Sequence, residues 1–269
     1  MNRTKLFTLI SIFCIFVLVP TSFAADETVE NLTLSSDSSD ILTADYYFDS
    51  NATDDSGDGS ISDPYKDFKS SRVVANSNLH LANGEYTLDR SVSINNVTII
   101  GENPSQTILK YNYGTGFAVS SSLTLKNLTL VNLRIVNNGE FTATNTIFED
   151  YKYGSYKGGV IESQRTNANT VLNNCTFNNT QGNYGGAIYL NQASMTVTDS
   201  LFVNSYANLY GGAIVGINKA KINIRNSKFL NSYSIEDAGG AIYLSGSTFT
   251  AINLEIINCS SIFGGAIAY

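Results

Sequence analysis

The chain has few of the residues that metal or nucleic-acid chemistry requires. Its 269 residues include one His, no Trp, three Pro and three Cys, and only 14% are charged, against about 25% in a typical domain. A single histidine excludes His-rich metal sites and disfavours histidine-dependent catalysis. The formal net charge of −7 and pI near 4.7 argue against nucleic acid as a partner, because contact with phosphates needs a basic surface.

The chain is instead rich in small polar residues, with 31 Asn and 21 Gly beside a hydrophobic share of 43%. That apolar share argues against a disordered chain. A chain of about 250 residues can bury a large core as one all-β domain. Surface polarity must therefore come mainly from Asn, Ser and Thr.

The longest hydrophobic run lies at the N-terminus. Arg3 and Lys5 precede an uncharged, mostly apolar run at 6–19, and Ala24 completes a small-x-small cleavage pattern. This is typical of a secretory signal peptide, here residues 1–25, and an uncleaved anchor is the alternative. No later stretch approaches about 18 apolar residues. We therefore expect an exported protein, secreted or at the cell surface, with no transmembrane segment in the mature chain.

Charge divides the remaining sequence. Residues 26–67 hold 12 acidic residues and one basic residue, a net of −11, whereas residues 68–269 hold 11 acidic and 13 basic, a net of +2. We predict a flexible acidic leader at 26–45, an N-terminal cap at 46–75 with a short helix at 67–75, and repeats at 76–269. The last repeat is interrupted, so we expect a truncated array or a final edge covered by a partner.

Two motifs recur in phase. One is Gly-Gly, then Ala or Val, then Ile, at intervals of 27, 26, 28 and 25 residues. Its glycines are Gly158, Gly159, Gly185, Gly186, Gly211, Gly212, Gly239, Gly240, Gly264 and Gly265. The other is Asn or Asp, two residues, an apolar residue, one residue, and again Asn or Asp. It begins at Asn127, Asn145, Asn174, Asp199, Asn226 and Asn253, and an earlier version that begins at Asn96 keeps the spacing with Gly101 in the last place.

Alternating apolar residues before these motifs predict half-buried strands that return once per repeat, with no helical pattern between them. Such strands stack into a parallel β-helix, and propellers and leucine-rich repeats fit the period less well. Stacking puts each Asn in a column at a coil corner, where it tolerates left-handed backbone and can bond its neighbours above and below. Cys175 and Cys259 fall too many coils apart for a disulfide.

The Gly-Gly-Ala-Ile repeats with Phe-x-Asn are similar to those of polymorphic outer-membrane proteins. With Tyr47-Phe48-Asp49 and the Leu-Ala-Asn-Gly-Glu-Tyr stretch at 81–86, the chain from 46 to 269 resembles adhesin-like surface proteins of methanogenic archaea. The resemblance implies an all-β fold, a single right-handed parallel β-helix of the pectate-lyase-like kind. It also implies an exported archaeal glycoprotein that mediates cell adhesion, and it supplies no catalytic residues.

Tyrosines crowd the loops that precede the Gly pairs. We take four of them as binding candidates for surface glycans or proteins of other cells, namely Tyr184, Tyr206, Tyr210 and Tyr233. Tyr151, Tyr153 and Tyr156 lie in an equivalent loop. The alternative role is plain aromatic cover for the coil edges.

No catalytic residues are predicted. A glycosidase needs two carboxyl groups about 5–9.5 Å apart, but the adjacent acids Glu236 and Asp237 suit a solvated loop, and Asp150 replaces an Asn in its column. Arg134 has no obvious acidic partner along the sequence. We therefore expect a protein that is not an enzyme. The alternatives are a carbohydrate-active enzyme, either a polysaccharide lyase or a hydrolase, and a structural cell-envelope spacer.

The sequence also contains candidates for a calcium site and for glycosylation. Asp49, Asp54, Asp55 and Asp58 could wrap a Ca²⁺ ion, since that ion favours several carboxylates on a flexible loop, and a solvated turn is the alternative. No other metal or cofactor is expected. Among the Asn-x-Ser/Thr sequons, the glycosylation candidates are Asn31 and Asn51.

Overall fold

Strands form nearly all of the regular structure. The computed structural model describes residues 43–152, 157–263 and 265–269. The predicted signal peptide, most of the leader with Asn31, Tyr153, Tyr156 and Gly264 lie outside the described residues. Within the described ranges there are 26 strands and one 3-10 turn, Ser70–Arg72. No helix in those ranges is long and apolar enough to cross a membrane.

The strands are short and follow one another around successive coils. The first half of the strand series is β1 (Ala44–Phe48), β2 (Ser77–Leu81), β3 (Gly84–Thr87), β4 (Val92–Ile94), β5 (Val97–Gly101), β6 (Thr107–Lys110), β7 (Thr115–Val119), β8 (Ser122–Lys126), β9 (Thr129–Val131), β10 (Arg134–Asn137), β11 (Glu140–Thr144), β12 (Ile147–Glu149) and β13 (Ile161–Ser163). The second half is β14 (Asn169–Asn173), β15 (Thr176–Asn178), β16 (Gln181–Tyr184), β17 (Ile188–Asn191), β18 (Ser194–Thr198), β19 (Leu201–Val203), β20 (Tyr206–Tyr210), β21 (Ile214–Ile217), β22 (Lys221–Leu230), β23 (Tyr233–Ser234), β24 (Ile242–Ser245), β25 (Thr248–Ile257) and β26 (Ile267–Ala268).

These strands stack into four faces. The 15-stranded sheet bends into face 1 (β1, β2, β5, β8, β11, β14, β18) and face 2 (β3, β6, β9, β12, β15, β19), and β22 and β25 run through both. Face 3 is β16, β20 and β23, and face 4 is the eight-stranded sheet β4, β7, β10, β13, β17, β21, β24 and β26. The strand pairings are parallel, with each strand paired to its counterpart on the next coil. The predicted parallel β-helix is confirmed, with about seven turns.

The core is a set of columns that run along the axis. Inward residues alternate with outward ones, as in β18, where Met195 and Val197 are buried between half-buried neighbours. One column consists of four phenylalanines that are fully buried, Phe148, Phe177, Phe202 and Phe229. The centroids of neighbouring rings in this column lie 4.5–4.7 Å apart. Cys175 is buried and Cys259 half-buried, and both are free thiols.

Asparagine occupies two corners of each regular coil. The first corner, between faces 1 and 2, holds Asn127, Asn145, Asn174, Asp199, Asn226 and Asn253. The second, between faces 2 and 3, holds Asn132, Asp150, Asn179, Asn204, Asn231 and Asn258. All have φ between 48° and 56°, a left-handed conformation that Asn and Asp adopt more readily than other side chains. The turn requirement therefore selects the residue.

The corner amides also bond along the axis with one polarity. Asn145 Nδ2 donates to Asn127 Oδ1 at 2.9 Å, and Asn253 Nδ2 donates to Asn226 Oδ1 at 3.1 Å. In all six of the corner bonds that form within the described ranges, the amide donates toward the N-terminal coil. An ionised Asp has no proton to donate, so Asp150 cannot serve the preceding Asn132, whose buried Oδ1 has no hydrogen-bond partner.

The earliest asparagine of the second motif belongs to a different corner. Asn96 lies before face 1, where it donates to Asn76 Oδ1 at 2.9 Å and accepts from Ser122 Oγ at 3.0 Å. The register pairs Val97 with Leu123, so the sequence alignment of Asn96 with Asn127 is wrong. The stretch that begins at Asn96 therefore has the spacing of the motif but occupies a different register from the later coils.

The Gly pairs meet two separate demands at the corner between faces 3 and 4. Gly185 has φ +68°, in the region where a side chain is strained. At the next position, a Cβ on Gly186 would overlap the Gly212 carbonyl oxygen of the following coil. The Gly186 N–H donates to that same oxygen at 3.0 Å. One glycine therefore turns the chain, and the other lets neighbouring backbones touch.

The N-terminal segment adds a strand and a folded loop. β1 begins at Ala44, inside the range predicted as leader, and pairs in parallel with β2. Phe68 is buried with its ring 5.1 Å from that of Phe48. The helix predicted at 67–75 is wrong, since only the 3-10 turn forms. A segment of that length lies below the roughly 12 residues at which isolated helices become stable.

Candidate functional site

Face 3 carries the tyrosines that the sequence singles out, and it divides them between two concave sites. Tyr206 and Tyr210 are the two ends of the five-residue strand β20. The Tyr233 ring packs against the first at a tilt, and the Tyr184 ring stacks on the second. The four candidates therefore do not form one stripe. We call the two sites the Tyr206 groove and the Tyr210 cleft.

The Tyr206 groove lies beside the second asparagine corner. It has a volume of about 750 Å³ and is lined by residues of successive coils, including Tyr206, Tyr233, Asn204, Asn231 and Asn258. The Tyr206 and Tyr233 rings have centroids 4.9 Å apart at 42° to one another. One end of the groove contains Tyr151 and Lys152. A column of aromatic rings and a column of amide groups thus line one open channel side by side.

Hydrogen bonds hold the groove rings in place. The Tyr206 hydroxyl donates to Asn208 Oδ1 at 2.6 Å, and Asn208 Nδ2 donates to Asn183 Oδ1 on the preceding coil at 3.3 Å. Burial raises the pKa of Tyr206, so its phenol stays protonated and remains a donor. The ring is therefore oriented before any ligand arrives.

The Tyr210 cleft lies at the other end of face 3 and extends over the outside of face 4. It has a volume of about 310 Å³ and is lined by Tyr184, Tyr189, Tyr210, Tyr243, Lys157, Val215, Ile217, Asn218 and Ser245. The centroids of Tyr184 and Tyr210 are 5.8 Å apart, and those of Tyr210 and Tyr243 are 4.4 Å apart. A hydrogen bond to the Asp237 carboxylate raises the pKa of Tyr210 to about 12.

Sequence reasoning missed two of the cleft residues. Tyr189 and Tyr243 occupy the same place in the repeated Gly-Gly-Ala-Ile-Tyr-Leu at 185–190 and 239–244. The register pairs each of them with Val215 on the coil between. The recurrence of tyrosine in this repeated stretch could have identified both residues, although they lie within strands and not in the loops.

A buried ion pair beneath this region corrects the statement that Arg134 has no acidic partner. Arg134 pairs with Glu162, and their side chains are only 4% and 10% exposed. Arg134 also donates to the Gly158 carbonyl oxygen and, at 2.8 Å, to Thr115 Oγ1. The partners lie on adjacent coils, where register rather than sequence distance decides contact.

The carboxylates of the acidic N-terminal loop form local hydrogen bonds and ion pairs. Asp49, Asp54 and Asp58 each accept a backbone N–H two residues further on, at 2.9 Å. Asp55 pairs with Lys69 and Arg72, and the Arg72 guanidinium holds its pKa well below the usual range. Within the described ranges no three His, Cys, Asp or Glu side chains gather as metal ligands require. A calcium site at this loop stays a prediction.

Glycosylation also stays a prediction. Asn51 is exposed at a turn, where its backbone N–H donates to Asp49 Oδ1. Its side chain is therefore accessible to a modifying enzyme in a way that the corner asparagines are not, since many of those bond to neighbouring coils.

Comparison with known proteins shows the fold and nothing finer. No family model matches the chain, and no curated protein matches it. Among solved structures it is similar to pectin methylesterase PemA from Erwinia chrysanthemi, with TM-score 0.48, 10% identity, and 76% of this chain and 70% of that one covered. It is also similar to a mutant pectin methylesterase in complex with a hexasaccharide, with TM-score 0.48, 8% identity, and coverage of 84% and 93%. For the PL6 family alginate lyase AlyGC the TM-score is 0.44, the identity 11% and the coverage 73% and 37%.

The expectation that the chain is not an enzyme is corrected to this extent: the solved structures to which it is similar are two pectin methylesterases and an alginate lyase, which are carbohydrate-active enzymes. The fold is thus one that carries catalysis in other chains. At such low identity the likeness extends to the fold alone. What this protein does must be argued from its own side chains.

Proposed function

We propose that this protein is an exported, adhesin-like surface rod that binds glycan chains along face 3. The observation that carries the proposal is the pair of rings in the Tyr206 groove, 4.9 Å apart on successive coils and bordered by corner amides. A sugar ring has an apolar C–H face and a rim of hydroxyls. Tyrosine faces suit the first, and amide groups suit the second.

The groove favours an extended polymer over a small molecule. Its amide lining comes from the same corner on consecutive coils, Asn204, Asn231 and Asn258, and strands in a sheet lie about 4.8 Å apart. A chain lying parallel to the axis would meet an equivalent set of donors and acceptors at each coil. Several weak contacts would then add up, as multivalent binding requires.

Export and surface display are the part of the proposal that rests on the N-terminal sequence. A positively charged start, an apolar run at 6–19 and a small-x-small site fit secretion. The partners would be glycans or proteins on other cells. Asn- and Tyr-rich contact surfaces with few charges suit this role better than they suit nucleic acid.

The test is affinity electrophoresis of the protein against a panel of soluble polysaccharides. We expect at least one polymer to retard the wild-type chain, and Tyr206→Ala with Tyr233→Ala to weaken that interaction about tenfold or more, since a central aromatic contact is worth more than about 1 kcal/mol. Tyr113→Ala is the matched control, because Tyr113 is 76% exposed and lies outside both sites. Undiminished binding by the double variant would remove the groove from the proposal. Binding to no polymer would leave the spacer role.

A second candidate is a carbohydrate-active enzyme, and the observation in its favour is the Asp237 carboxylate held by the Tyr210 hydroxyl at the cleft. The same polysaccharides, assayed for newly formed reducing ends, test it. Catalysis through this carboxylate predicts turnover that Asp237→Asn abolishes while Asp199→Asn, at a corner of the rod, does not. No reducing ends from any polymer would discard the candidate.

A further inference from the structure

The Tyr210 cleft has the form of a site for a single ring. Its floor is apolar, Val215 and Ile217, and its wall is the stacked pair Tyr184 and Tyr210. The volume of about 310 Å³ lies at the lower end of the range for small-ligand pockets. Apart from the tyrosine hydroxyls, the polar groups of its lining come from Lys157, Asn218 and Ser245.

One end of the cleft carries a positive charge. Lys157 Nζ lies 5.6 Å from the centroid of the Tyr189 ring, a contact that leaves the ammonium able to donate. None of the ion pairs formed within 43–152, 157–263 and 265–269 includes Lys157. The nearby acids have other partners, since Glu162 pairs with Arg134, and Asp237 accepts from Tyr210.

The opposite end carries neutral polar groups. Asn218 Nδ2 donates to Asn191 Oδ1 at 3.1 Å, so the amide is fixed and its carbonyl oxygen is the atom left to accept from a hydroxyl. Ser245 lies beside it in the lining. The cleft is therefore polarised, with a cation at one end and hydroxyl-binding groups at the other.

We infer that the Tyr210 cleft binds an acidic sugar, a uronic acid residue of the glycan, with its carboxylate on Lys157 and its ring against the tyrosines. The inference rests on the proposed function and names its substrate class. A charge-assisted hydrogen bond is about twice as strong as a neutral one, so a carboxylate on Lys157 would favour an acidic sugar over a neutral one. The repeats at 76–269 hold 11 acidic and 11 basic residues, a net charge of zero, so they carry no overall negative charge that would repel such a ligand.

Two probes that differ only in charge test this. They are polygalacturonate and the neutral polymer obtained by reducing its carboxylates to hydroxymethyl groups. Isothermal titration with the full chain should give about tenfold tighter binding of the acidic polymer, and Lys157→Met should bring the two affinities together. Lys157→Arg should retain the preference, because the charge remains. Lys126→Met, on the outside of face 1, is the matched control and should behave as wild type.

The outcomes separate the two proposals. Equal binding of both polymers by the wild-type chain, or a preference that survives Lys157→Met, overturns the acidic-sugar inference and leaves glycan binding in place. Binding of neither polymer overturns the inference, while the wider polysaccharide panel decides the proposed function. Rising salt should weaken acidic binding alone, since it screens the carboxylate–ammonium attraction.

Discussion

The rod has two flanks, and every coil contributes to both. One flank repeats the same residue types from coil to coil, and the other does not. The asparagine flank comprises faces 1 and 2 with their two corners, and the same residue type recurs at each corner with φ within a few degrees. The aromatic flank comprises faces 3 and 4, where loop lengths vary and each coil offers a different mixture of Tyr, Asn and Val. A corner with a strict backbone requirement admits few residues. An outward position on a strand admits many.

The difference separates what holds the rod together from what the rod presents. The asparagine flank encloses the Phe column and has little room for change. The aromatic flank has its backbone fixed by the Gly pairs, and its outward side chains are free to vary. We therefore expect substitutions in the buried column of the first flank to alter stability, and substitutions of the outward tyrosines on the second to alter binding.

The largest effect should come from the Phe column. Phe202→Ala removes a fully buried ring that stacks between two others, and we expect a loss of about 3–5 kcal/mol in the free energy of unfolding. Denaturant titration measures it. Phe263→Ala is the control, since Phe263 is 62% exposed and should cost little. A loss below about 1 kcal/mol at Phe202 would contradict the division between flanks.

The Gly pairs test whether the aromatic flank depends on backbone contact. Gly212→Ala would place a Cβ against the Gly240 carbonyl oxygen and the Tyr233 backbone of the next coil, and we expect a loss of about 3 kcal/mol. Gly246→Ala separates overlap from strain. Its φ is +57° but the space around it is open, so it should cost only about 1 kcal/mol. Equal losses in thermal or denaturant unfolding would mean that the overlap at Gly212 costs no more than the strained φ at Gly246.

A stabilising change should come from the second corner. Asp150→Asn supplies the missing donor to the buried Asn132 Oδ1 and keeps the acceptor that Asn179 uses. We expect a gain of about 1 kcal/mol in the free energy of unfolding. Asp199→Asn is the matched change at the first corner, where the preceding Asn174 is exposed, and it should gain less. No gain at position 150 would show that the ladder bonds do not add to stability.

The smallest expected effect is a pH dependence of the free energy of unfolding that arises from the aromatic flank and not from the asparagine flank. The pKa of Tyr210 is raised to about 12, above the roughly 10 of an unfolded chain. Its contribution to stability is therefore complete below pH 10 and is lost as pH rises toward 12. Tyr210→Phe should flatten that part of the profile, whereas Tyr113→Phe should leave it unchanged. The corner amides do not titrate in this range, so an identical slope in the Tyr210 variant would disprove the assignment.

The sequence predicted the architecture because the columns of a solenoid are visible as periods. Asn174 and Gly185 were placed by spacing alone, and both lie at corners with positive φ. The predicted alignment of Asn96 with Asn127 was wrong because the early coils do not keep the period of the later ones. Arg134 was missed for a different reason, since its acidic partner Glu162 lies on the adjacent coil and is distant in sequence. Tyr189 was missed because it lies within a strand and not in a loop.

The sequence by itself thus determined the parallel coils, the asparagine corners, the glycine turns and the core of stacked columns. It did so through local backbone requirements and alternating hydrophobicity. Tertiary structure decided which outward side chains share a concave surface. It divided four candidate tyrosines between a groove and a cleft, added Tyr189 and Tyr243 to the cleft, and placed Lys157 at its rim. The physical reason is that stacking register joins residues some 25 positions apart, and neither spacing nor composition records the direction in which each side chain leans.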